Sequence, residues 1–175
     1  MRNTTARIAD EIDRITVAVG RIATWCALYI VLAEFAVVVL RYALGFGSIR
    51  LQESVLYAHA GLFMLAAAWT LQTDGHVRVD IFYARATARA RAAVDLLGAV
   101  VFLLPFAAVL CAVTLPYVER SWHIFEGSPQ PSGLPFVYLL KTVILLFAVL
   151  IGLQGVAQAL RAALVLSAPS RQRPH

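Results

Sequence analysis

Four long apolar blocks, parted by short polar breaks, leave this chain few ways to fold. They cover about residues 22–44, 51–71, 92–118 and 136–164. As helices, at roughly 1.5 Å per residue, each can cross the roughly 30 Å hydrocarbon core of a bilayer. No water is available there to the backbone, so each block must close its own hydrogen bonds as a helix. Of the 175 residues 61% are hydrophobic and 14% charged, against about 25% charged in a soluble domain. The expectation is an all-α membrane protein with four transmembrane helices. Residues 1–166 would form a single membrane domain and 167–175 a disordered cytoplasmic tail.

Before the first block, Ile8, Ile12, Ile15, Val19 and Ile22 recur at helical spacing. Arg7 with Glu11 and Asp10 with Arg14 can pair at i,i+4 on the opposite side. An N-terminal amphipathic helix in the membrane interface accounts for this, and so does a simple extension of the first span. Glu34 lies near the middle of that span, where a carboxylate is costly unless protonated, paired or turned towards other helices. Both helix packing and ion binding would satisfy it. In the second span Glu53, Tyr57 and Gly61 share one face, and His59, on another, reads as a packed histidine.

Charged, glycine and histidine residues crowd between two apolar halves only in Gln72-Thr-Asp-Gly-His-Val-Arg-Val-Asp80. Gly75 suits a turn. Val77, Val79 and Ile81 alternate with His76, Arg78 and Asp80, a short amphipathic segment between spans two and three, and Asp80 could cap a new helix. Arg85, Arg89 and Arg91 form a basic flank facing lipid. In the third span Pro105 predicts a kink. The loop from Ser121 to Pro135 is rich in proline and glycine. Lys141 is expected to snorkel outward, and Gly155, Ala159 and Ala163 are spaced for close helix contact.

Charge sets the orientation. With the N-terminus inside, 11 of the 15 Lys and Arg residues fall on cytoplasmic segments and 4 on outer ones. Both termini are therefore expected in the cytoplasm. In such a chain the net charge of +5 reports orientation and contact with membrane lipids, not nucleic acid. Phosphate-binding glycine loops, zinc-protease helices and serine nucleophile elbows are all missing. The histidines at 59, 76, 123 and 175 do not pair across spans, and Cys26 and Cys111 make no Cys-x-x-Cys. Catalysis is the least supported class, and no cofactor is expected in this chain.

Val39-Leu-Arg-Tyr42, Gln52-Glu53, Asp74-Gly-His-Val-Arg-Val-Asp-Ile-Phe82, Glu126-Gly-Ser-Pro-Gln-Pro-Ser-Gly-Leu-Pro135 with Lys141, and Leu153-Gln154-Gly155 follow one another in that order. Over about residues 15–165 the sequence resembles the small membrane subunit (Q subunit, DctQ-like) of tripartite ATP-independent periplasmic (TRAP) transporters. The resemblance implies a large elevator-type membrane subunit carrying the substrate and sodium sites. It also implies a periplasmic binding protein that delivers an organic acid, and a location in the bacterial inner membrane. This chain would be a fixed four-helix scaffold. Residues expected at partner interfaces are Glu34, Arg41, Glu53, Tyr57, Gly75, His76, Arg78, Asp80, Arg120, Glu126, Lys141, Gln154 and Gly155. The loop carrying Arg120, Trp122, His123, Phe125 and Glu126 is expected either to receive the binding protein or to pack on the large subunit. The alternative is a self-contained small proton-coupled exporter using Glu34; a membrane haem protein is a third reading.

Overall fold

Each apolar block is helical, and each helix runs past the block that defines it. The computed structural model describes residues 2–77, 83 and 85–168. Helix α1 is Arg2–Leu44 and α2 is Ile49–Gln72. Helix α3, Ala88–Leu97, continues through a π-helical turn, Gly98–Leu103, into α4, Leu104–His123; α5 is Val137–Leu166. These make four rods long and apolar enough to cross a membrane. No strand occurs among the described residues. The protein is all-α, as the hydropathy pattern requires.

Helix α5 is the centre, packing on α1, α2, α3 and α4, while α1 also lies along α2. Its buried positions include Ala148, Gly155, Ala157 and Ala162. Between helices in lipid, small residues permit close approach of the backbones, and that contact supplies the attraction. A Cβ on Gly152 would stand 3.3 Å from Ala107 Cβ, and one on Gly155 3.0 Å from Leu103 Cδ2. The stripe expected at Gly155, Ala159 and Ala163 is corrected here, because Ala163 is exposed. Steps of four drift around a helix, whereas Ala148, Gly152, Gly155, Ala159 and Ala162 alternate steps of four and three, which keeps one seam facing its partner.

The N-terminal amphipathic segment is the first half of α1, continuous with the span. Its buried face is also different from the one its isoleucines suggest. Ala9, Ile12, Thr16 and Ala23 are buried, whereas Ile8, Ile15 and Ile22 are 49%, 49% and 71% exposed. Ala9 and Ile12 pack on Ala157 of α5. Against lipid-like surroundings, hydrophobicity does not select the inward face; size does.

In the third rod Pro105 adjoins a π-helical turn and Pro116 lies inside α4. Pro105 falls in the first turn of α4, directly after the π-helical turn, where the Leu104 N–H donates to Ala99 O five residues back. The wider turn gives room to a ring that cannot donate and that would strike the carbonyl four residues earlier. Thr87 caps α3, its side chain accepting from Ala90 N at 3.2 Å. The expected capping residue, Asp80, lies outside the described residues, as do Arg78 and most of the short amphipathic segment. Gly75 is not the left-handed residue of the turn after α2. Asp74 takes that conformation at φ 60, which a short polar side chain tolerates. Glycine at 75 instead permits closeness, since a Cβ there would meet Thr70 Cγ2 at 3.1 Å.

Candidate functional site

Two polar clusters fasten the bundle, one at the end carrying the chain termini and one at the end carrying residues 45–48 and 124–136.

At the terminal end the anchor is Asp13 of α1. Its Oδ1 accepts from Gln154 Nε2 at 3.1 Å and its Oδ2 from Gln72 Nε2 at 3.2 Å and Arg161 Nη2 at 2.7 Å. One carboxylate thus joins α1, α2 and α5. Arg161 also reaches Asp10 at 3.1 Å. Thr16 closes the network by donating to Gln154 Oε1 at 3.1 Å. Gln154 is 2% exposed and Thr16 0%, so both ends of the buried amide are satisfied, which matters most at low dielectric. Gln154 was expected to meet a partner and is instead engaged inside its own chain; Gly155 likewise faces the bundle. Asp10 pairs with Arg161, not Arg14, which binds Glu11 at 2.7 Å.

The basic flank is also structural. Arg89 donates to Leu166 O at 3.0 Å, and Arg91 donates to Ala86 O at 3.1 Å while lying over the Tyr83 ring. Tyr83 in turn donates to the Asp95 carboxylate, at 2.8 Å to Oδ2. A cleft of about 530 Å³ opens here between α2, α3 and α5, bordered by Gln72, Tyr83, Arg91, Asp95 and Arg161.

At the loop end Glu53 straps the proline-rich loop to α2. Its carboxylate accepts from Ser128 Oγ and, at 2.6 Å, from Leu134 N. Gly133 must be glycine: a Cβ would collide with the side chains of Ser128 and Glu53. Lys141 does not snorkel outward. It is 14% exposed, pairs with Glu126 and stands 4.0 Å over the Tyr117 ring. Trp122 Nε1 donates to Thr142 Oγ1 at 2.9 Å, and Tyr138 collects Trp122, Phe125 and Phe136 edge-on. Half-buried Tyr57 keeps its hydroxyl enclosed without a hydrogen-bond partner. Glu53, Glu126 and Lys141, expected at partner interfaces, therefore hold the chain to itself.

The Lys141 ammonium beside Glu126 holds that carboxyl below its ordinary value of 4.5. A depressed carboxyl stabilises the folded loop fully above its unfolded value and loses the contribution as pH falls through the folded one. Titrated from neutrality, the loop should stay closed through pH 4.5 and open only below it. The emission of Trp122 should report an acid transition that is smaller in Glu126→Gln. A transition above pH 5, or one unchanged in the variant, would refute the assignment.

Five of the expected interface residues remain outward: Glu34, Arg41, Gly75, His76 and Arg120 are exposed. Arg120 donates to Pro116 O at 3.1 Å. His59 is also exposed, its ring stacked 6.4 Å from that of Phe63. Among the described residues no three His, Cys, Asp or Glu side chains converge on a point that could hold a metal. The polar chemistry is that of fastening.

Sequence reasoning missed Asp13, Thr16, Gln72 and Arg161. The signal was present as polar residues on otherwise apolar helices at matching distances from the termini. A search of curated proteins and one of solved structures found no match. A family model, "Tripartite ATP-independent periplasmic transporters, DctQ component", matches residues 30–164. A match over that much of the chain places the protein in the family of DctQ components, the small membrane subunits of TRAP transporters.

Proposed function

We propose that the chain is the fixed membrane scaffold of a sodium-coupled, binding-protein-dependent importer of an organic acid. The observation that carries this reading is the pair of polar clusters. Asp13 locks α1, α2 and α5 at one end; at the other, Glu53 and the Glu126–Lys141 pair tie the proline-rich loop to α2 and α5, and Trp122 ties α4 to α5. A bundle fastened at both ends resists internal motion, which suits a support against which an elevator-type large subunit moves. Sodium and substrate would belong to that subunit, and delivery to a periplasmic binding protein. The charge bias supports cytoplasmic termini, with the Asp13 cluster beside them, in a bacterial inner membrane. The exporter reading has less support, because the family match is to a component of a multi-subunit transporter, and Glu34 is exposed on α1.

Reconstitution tests the reading. Vesicles holding the large subunit and this chain, supplied with binding protein and a sodium gradient, should accumulate organic acid; vesicles lacking this chain should not. Glu53→Gln should lower recovery of the complex while the complex that does form keeps its sodium dependence. Uptake by the large subunit alone, or proton-driven export by this chain alone, would refute it.

A further inference from the structure

Two hydroxyls inside the loop end of the bundle meet no partner in the protein. Tyr57 Oη and Ser121 Oγ are both sealed from solvent, and among the described residues neither makes a hydrogen bond. Ser121 as a whole is 1% exposed. A hydroxyl has a proton to donate, and enclosing it without an acceptor lowers the folding equilibrium constant roughly tenfold. Phenylalanine at 57 and alanine at 121 would fill nearly the same space free of that cost. Because this chain itself covers both oxygens, neither a lipid nor a partner subunit can reach them. What completes them must be small and enclosed within the bundle.

The two hydroxyls share a neighbour in Glu126. Tyr57 stands one turn along α2 from Glu53, on the same face, and lies within electrostatic reach of both Glu53 and Glu126. Ser121 comes five residues before Glu126, and the Glu126 N–H donates to Ser121 O at 3.0 Å, which folds the loop back over the end of α4. The serine hydroxyl thereby comes near enough to help Lys141 hold the Glu126 carboxyl below its ordinary value, though not into hydrogen-bond geometry with it. Lys141 donates to Oε2 of that carboxylate, which leaves Oε1 to face elsewhere. Helices α2 and α4 do not pack on each other, whereas both pack on α5. The tyrosine side chain therefore enters an interval bordered by α5 and the strapped loop.

Three kinds of small occupant compete. An anion would accept both protons, but the Glu53 and Glu126 carboxylates outnumber the Lys141 ammonium here and repel it. A metal cation would draw on oxygen lone pairs and leave both hydroxyl protons unplaced, and among the described residues no three His, Cys, Asp or Glu side chains converge to hold one. A water molecule answers every group, since it can accept two hydrogen bonds and donate two, and buried waters make about three. We propose that one internal water sits between α2, α4 and the proline-rich loop, accepting from Tyr57 Oη and Ser121 Oγ and donating to Glu126 Oε1. It ties α4 to α2, which no direct packing joins, and it belongs to this chain whatever subunit stands beside it.

Unfolding of the full chain in detergent, followed by circular dichroism, tests the site through Tyr57→Phe, Ser121→Ala and the double variant. Each single substitution should lower the folding equilibrium constant about fivefold, because it strips the water of an attachment. The double variant should lose less than the product of the two, because both act through one molecule. A density map of the unaltered chain, fine enough to show ordered waters, should carry a peak within about 3 Å of both oxygens. The map needs no variant, so it decides the matter even where a substitution prevents folding. A higher folding constant in Tyr57→Phe would mean that the hydroxyl is enclosed unpaired. Effects that multiply would mean two separate environments. A folding constant that falls when choline replaces sodium at equal ionic strength, in the unaltered chain but not in Tyr57→Phe, would mean a bound cation. Any of these results, or a map without the peak, overturns the proposal.

Discussion

Asp13→Ala should destabilise the bundle by about 3 kcal/mol. The carboxylate takes three hydrogen bonds from two other helices. Its loss strands the Gln154 amide, which is 2% exposed, and a buried donor without a partner costs about 1–3 kcal/mol. It also removes the nearer partner of Arg161. That guanidinium is 41% exposed and keeps Asp10, so solvent offsets much of its share. Asp13→Asn retains one acceptor oxygen and should fall between Ala and the unaltered chain. Detergent denaturation followed by circular dichroism gives the comparison. A change below about 0.5 kcal/mol for Asp13→Ala, the range of ordinary surface substitutions, would show that the cluster is not a fastening.

Gly20→Ala should also be destabilising, by about 2 kcal/mol, even though alanine is better than glycine in a helix by roughly 1 kcal/mol. A Cβ on Gly20 would stand 2.7 Å from both Trp69 Cβ and Trp69 Cε3. Trp69 Cβ is fixed to the backbone of α2, so the helices themselves must part. Gly20→Leu should prevent α1 and α2 from packing at all. Trp69→Leu should recover part of the loss in the Gly20→Ala background, a coupling that two independent sites would not show. Stabilisation by Gly20→Ala alone would mean that the contact is looser than it stands here.

Residue sequence determined the four helices, their order and the loops between them. Those follow from block length and from the backbone's need to close its own hydrogen bonds in lipid, both local properties. It also drew attention to Glu53, Glu126, Lys141 and Gln154, as residues expected to meet partner proteins. Only the tertiary structure decided that each of them is also held within the chain. Pairing Glu53 with Leu134, or Asp13 with Gln154, depends on which helices become neighbours across 81 and 141 residues, and no periodicity encodes that. The inward face of α1 was hidden for a related reason. In a soluble helix the apolar stripe marks the core, but lipid accepts Ile8, Ile15 and Ile22 as readily as protein does, so packing goes to Ala9, Thr16 and Gly20, where two backbones can come close.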